Sequence, residues 1–120
     1  MTIQVVWVEL PVKDIERAVK FYQDALGVEA EIVDDGVRKT ATLAHESGVG
    51  ISLNQTTNFE GSDKGAFVYV YAGEDIDAVL PRIEPAGGKV LTQKTSMGAA
   101  GYYATIHDTE GNVLALYSAE

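Results

Sequence analysis

The chain has 120 residues, 46% of them hydrophobic and 22% charged, which suits one globular domain whose halves are too small to fold comfortably alone. Nine basic against eighteen acidic side chains leave a net charge of -9, which argues against the Lys/Arg stripe of a nucleic-acid binder and against docking on an anionic membrane. With no cysteine, disulfides, thiolate metal sites and a cysteine nucleophile are excluded as well.

Taken in order, MTIQVVWVELPV has neither a basic leader region nor an apolar run of the roughly 18 residues a span requires, so a cytoplasmic protein is expected. Alternation predicts a strand over Ile3 to Leu10, with Val6, Val8 and Leu10 on one face and Val5, Trp7 and Glu9 on the other. Pro11 ends it. Asp14 is placed to N-cap a helix whose stripe is Ile15, Ala18, Val19, Tyr22, Ala25 and Leu26, and Gly27 stops that helix. Strands follow at Val28 to Val33, Val37 to Ala44 and Gly48 to Gln55, with Asp34-Asp35-Gly36 as a turn. The run TTNFEGSDKG, between Thr56 and Gly65, is a connector.

The second half opens with a strand over Ala66 to Ala72. Asp75 caps a helix carrying Ile76, Val79, Leu80 and Ile83, and Pro81 inside it predicts a kink or a short, poorly bonded turn. Lys89 to Gln93 reads as a strand, Ser96 to Gly101 as a flexible loop, and Ala104 to Leu116 as a hairpin. That hairpin, ATIHDTEGNVLAL, repeats Ala41 to Leu53, ATLAHESGVGISL, without a gap. Ala41/Ala104, Thr42/Thr105, Gly48/Gly111 and Leu53/Leu116 are identical, and Ser52 matches Ala115. The helix openings at Asp14 and Asp75 echo each other at nearly the same offset. The expected organisation is two β-α-β-β-β modules, residues 1–56 and 65–120, within an α+β chain of 1–120.

These motifs in this order resemble the glyoxalase/bleomycin-resistance/extradiol-dioxygenase superfamily, also called vicinal oxygen chelate. The likeness rests on Val12-Lys13-Asp14-Ile15, Arg17-Ala18, Phe21-Tyr22 and Ala25-Leu26-Gly27 in the first half. In the second it rests on Asp75-Ile76-Asp77-Ala78, Ala86-Gly87-Gly88-Lys89-Val90 and Asp108-Thr109-Glu110-Gly111-Asn112. The resemblance implies a curved eight-stranded mixed sheet around a cleft. It also implies, in metal-dependent members, one ligand on each of the first, fourth, fifth and eighth strands. Those positions fall here on Trp7, on Ser52, on Phe67 or Val68, and on Ala115, which cannot form a Zn, Ni or Fe(II) site. The resemblance therefore points to a metal-free branch with no cofactor, like the family's antibiotic-sequestering members, and to a homodimer.

The candidate ligand-binding residues are Trp7, Glu9, Ser52 and Asn54 in the first half and Tyr69, Tyr103 and Ala115 in the second. Trp7 offers either a π surface to a planar ligand or a core filling for the space a metal would occupy. Glu9, on the same face, is a general base, a partner for a ligand cation, or a rim carboxylate. Tyr102 and Tyr103 point to opposite faces, so at most one enters a cleft. His107 is either an acid–base group or a solvated strand end; His45 is given no role. The expectation is a small-molecule binding protein, with a metal-independent proton-transfer enzyme as the alternative and Glu9 and His107 as its catalytic candidates.

Overall fold

A computed structural model describes residues 2–120. Strand β1 (Trp7–Pro11) leads into α1 (Ile15–Leu26), followed by β2 (Ile32–Asp34), β3 (Lys39–Thr42) and β4 (Gly50–Gln55). The second half runs β5 (Val68–Tyr71), α2 (Ile76–Val79) with a 3-10 turn at Leu80–Arg82, β6 (Lys89–Val90), β7 (Thr95–Ser96), β8 (Tyr102–His107) and β9 (Val113–Ser118). The first sheet is ordered β1-β4-β3-β2 and the second β5-β9-β8-β6, with β7 also on β8. In both, the first strand of the half lies parallel to the last and the rest of the ladder is antiparallel. Ala41 faces Leu53 and Ala104 faces Leu116, so the repeated hairpins share one register.

The caps act as the sequence predicts. Asp14 accepts a hydrogen bond from the Arg17 N–H at 3.1 Å, and Asp75 accepts one from the Asp77 N–H at 2.9 Å. Pro81, which has no N–H, cuts α2 to one turn and leaves a 3-10 continuation. Several expected strands are shorter. Ile3 to Val6 lie outside β1, because its partner β4 begins at Gly50, opposite Trp7, and nothing stands across from the residues before it. Val28 is taken up by the end of α1, its N–H reaching the Tyr22 carbonyl. The strand expected to reach Gln93 stops at Val90, since Leu91 and Thr92 both donate to the Thr105 carbonyl and break the ladder. The loop expected from Ser96 to Gly101 instead holds the end of β7 and a 3-10 turn at Gly98–Ala100.

One apolar core serves both halves. Leu10, Ile15, Phe21, Tyr22 and Leu53 pack in the same cluster as Ile76, Ile83, Ile106, Leu114 and Leu116. The turn between β8 and β9 locks it. The buried Glu110 carboxylate accepts from the Lys13 and Asp14 N–H groups at 2.8 and 3.0 Å and from Arg17 Nε at 2.7 Å. Burial alone would raise its pKa, but the Arg17 guanidinium and the surrounding N–H and hydroxyl donors outweigh that and hold it at about 2. Asp108 accepts from the buried Tyr22 hydroxyl at 2.7 Å, and Asn112 donates to the Pro11 carbonyl at 2.8 Å. Burial, reinforced by Asp108, pushes the Tyr22 hydroxyl well above its ordinary pKa.

Candidate functional site

Strand alternation sends every second side chain of β1, β4 and β3 away from α1, and there a connected polar row forms. The Trp7 indole N–H donates to Ser52 Oγ at 3.1 Å, Asn54 Nδ2 donates to the same oxygen at 3.0 Å, and Thr40 Oγ1 donates to Asn54 Oδ1 at 3.0 Å. Ser52 and Asn54 are 4% and 1% exposed, whereas Trp7 keeps 44% of its surface open. The indole lies across Gly50. A Cβ there would come within 2.3 Å of Trp7 Cζ3, so only glycine fits beneath the ring. His45 meets that ring edge-on, with centroids 6.0 Å apart and planes at 71°. Glu9, on the same face, is 3.2 Å from Arg38 Nη2.

The corresponding face of the second sheet has a different character. Tyr69 stands opposite Ala115, which in turn faces Thr105; Tyr103 and Tyr71 stand opposite Tyr117. Tyr102 turns the other way, against the core, so of the two adjacent tyrosines only Tyr103 is on this face. Ala115 is fully buried. His107 ends β8 with its Nε2 3.6 Å from Asp63 Oδ2, so the connector reaches back to cover it. The two catalytic candidates, Glu9 and His107, thus belong to different sheets, Glu9 paired with Arg38 and His107 facing Asp63.

The candidate residues fall into two groups. Trp7, Ser52 and Asn54 are joined by hydrogen bonds, with Glu9 beside them; Tyr69, Tyr103 and Ala115 share the face of the other sheet. The sequence reading missed Gly50, His45, Thr40 and Arg38, whose parts in the site come from cross-strand register and from turns that no local pattern reveals. The register also settles one open assignment. Glu9 pairs with Ser52 and Tyr69 with Ala115, so the residue equivalent to Trp7 is Phe67, not Val68.

At the four positions to which the resemblance assigns metal ligands, the side chains are therefore an indole, a hydroxyl, a phenyl ring and a methyl group. The indole nitrogen can only donate, and it is committed to the Ser52 oxygen. Among the described residues no group of three His, Asp or Glu side chains could hold a metal ion. These residues do not fit a divalent metal.

A separate cavity of about 300 Å³ opens on the other side of the first sheet, where the two halves meet. It is lined by Leu10, Leu43 and Ile51 of the first half, by Tyr22 and Leu26 of α1, and by Tyr69 to Ala72 with Leu114 of the second half.

Comparison with known proteins agrees with this architecture. The sequence model of the Glyoxalase/Bleomycin resistance protein/Dioxygenase superfamily matches residues 4–116. A glyoxylase-like domain-containing protein of Didymella fabae is 27% identical over 117 residues, covering 94% of this chain and 91% of that protein. Glyoxalase I from Zea mays superposes with a TM-score of 0.74 at 26% identity over 93% of this chain, which spans only 44% of the maize chain. A genomically encoded fosfomycin resistance protein, FosX, from Listeria monocytogenes gives a TM-score of 0.76 at 16% identity over 100% of this chain and 96% of its own. At that identity the likeness shows the fold alone.

Proposed function

We propose that this chain, which belongs to the glyoxalase/bleomycin resistance protein/dioxygenase superfamily, is a metal-independent binder of planar or aromatic small molecules. The observation that carries this reading is the Trp7–Ser52 hydrogen bond. It fixes an indole across the place where metal-dependent relatives would need a ligand, while leaving nearly half of that indole open as a stacking surface. Glu9 and Arg38 beside it supply a carboxylate and a guanidinium for a ligand's polar end. Proton transfer is less well supported, because Glu9 is paired with Arg38 and His107 faces Asp63 on the far sheet. The activity in the maize protein's name is not expected here, with or without added Ni, Zn, Mn or Fe.

A homodimer completes the proposal. Trp7, Phe67, Tyr69 and Tyr71 are 44%, 53%, 52% and 72% exposed, and β1 and β5 are edge strands of their sheets. A second copy covering those edges would enclose the stacking face and remove the pairing hazard of open edges. The test is a titration of planar aromatic compounds followed by the fluorescence of Trp7, the sole tryptophan. Elemental analysis and sedimentation of the untagged protein accompany it. Quenching without stoichiometric metal, in a species of twice 12.9 kDa, is expected. One metal per chain, or a Trp7 signal flat to every compound, overturns the reading.

A further inference from the structure

We propose that the cavity between the halves is a second binding site, separate from the Trp7 face, for a small uncharged apolar molecule. The two sites lie on opposite sides of the first sheet and share His45, which packs on Trp7 and also lines the cavity. Trp7, Glu9, Ser52 and Asn54 project from one face, and Leu10 and Ile51 line the cavity from the other. The volume of about 300 Å³ lies at the lower end of the range for small-molecule pockets. It is ample for a single ring, since an apolar cavity of about half that size already admits benzene.

The lining sets the ligand class. Leu10, Leu26, Val28, Leu43, Ile51 and Leu114 give it an aliphatic interior. Tyr22 contributes its ring but no free hydroxyl, because that group is committed to Asp108 at 2.7 Å. Apart from Tyr22, the polar side chains of the lining are the solvent-exposed His45, Ser47, Tyr69 and Tyr71, which mark its mouth in the single chain. Glu46, between His45 and Ser47, and the net charge of -9 work against an anionic ligand. A neutral monocyclic aromatic or a short aliphatic chain, with at most one polar atom at the mouth, is the class that fits.

The experiment is calorimetric titration of the whole protein with p-xylene and with 4-methylbenzoate, each paired with a thermal melt. Saturable one-to-one binding of p-xylene with a raised melting temperature is expected, at least tenfold tighter than 4-methylbenzoate. Val28→Phe, which fills the interior, and Ala44→Phe, at an exposed position on the lining, are each expected to weaken p-xylene at least tenfold. Trp7→Phe is expected to leave it unchanged, which separates this site from the stacking face. Should Val28→Phe not fold, Ala44→Phe decides alone. No saturable p-xylene binding, or binding untouched by the filling variants, overturns the proposal. So does a loss caused by Trp7→Phe alone, which would move the probe to the outer face.

Discussion

The repeated turns, His45 to Val49 and Asp108 to Asn112, are built on one backbone plan and do opposite things. Gly48 and Gly111 occupy the same repeat position with φ of 81° and 82°. In the second turn, Asp108, Glu110 and Asn112 are all buried, and their side chains bind α1, β1 and the turn itself. In the first, the matching His45, Ser47 and Val49 are exposed and edge a cavity. Glu110 holds the α1 terminus through the Lys13 and Asp14 N–H groups, whereas its repeat counterpart Ser47 lies on the cavity lining.

The comparison breaks first at Glu110. Glu110→Ala leaves the Arg17 guanidinium and the Lys13 and Asp14 N–H groups without their shared acceptor. Because the Arg17 left behind is half-exposed, the cost is that of the lost charge-assisted hydrogen bonds, about 1.5–3 kcal/mol, and urea unfolding should show that loss. The repeat-matched Ser47→Ala should stay within about 0.5 kcal/mol of the parent. A large effect at Ser47 would mean that both turns carry the fold.

Acid should act through the same group. The Glu110 pKa is depressed from 4.5 to about 2, so the folded state favours the charged form. Its contribution is complete above about pH 4.5 and is lost as the pH falls through about 2. Allowing for the half-exposed Arg17 partner, it amounts to about 2–3 kcal/mol. Glu110→Gln should remove this part of the acid limb. Asp35 and Asp75, whose pKa values are lowered by backbone N–H donors and by Lys94 respectively, keep theirs in both proteins. Parallel stability–pH curves for parent and variant would show that Glu110 does not titrate as argued.

The first sheet carries the next effect. Trp7→Ala should weaken aromatic ligands by about 1–3 kcal/mol, as truncation of a binding aromatic does. The fold should survive, because Trp7 packs on Gly50 and Ser52 outside the shared core. Unfolding of the variant would make Trp7 a core residue and remove the main support for a stacking face.

What the sequence made legible was short-range. Asp14, Asp75, Gly27 and Pro81 act on their own helices within a few residues, and the paired hairpins fix their register through alternation. The start of β1 at Trp7 was not legible, because it depends on where β4 begins. The Trp7–His45–Gly50 cluster was equally hidden: a glycine beneath an indole has no local signature, and His45 reads as an ordinary turn residue. Nor does the pattern distinguish a turn that clamps a helix from one that edges a cavity. Ser47 and Glu110 occupy the same repeat position, and their difference lies in what the chain brings opposite each.

The smallest effect tests whether the two turns truly share a backbone. At Gly48 a new Cβ would meet nothing within 4 Å, and at Gly111 it would meet the Gly61 carbonyl, oxygen and carbon, at an ordinary 3.9 and 4.0 Å. Neither site has a steric penalty, so Gly48→Ala and Gly111→Ala should each cost only what a left-handed conformation costs an L-residue, about 1–2 kcal/mol. Near equality of the two values is the expectation, although one turn is buried in a hydrogen-bond network and the other stands open. If Gly111→Ala were far costlier, the network around Asp108 would be sensitive to small backbone shifts that the first turn tolerates. The two turns would then differ in rigidity as well as in their side chains. Equal costs would place the whole difference in the side chains, and with it the means by which one copy clamps while the other edges a cavity.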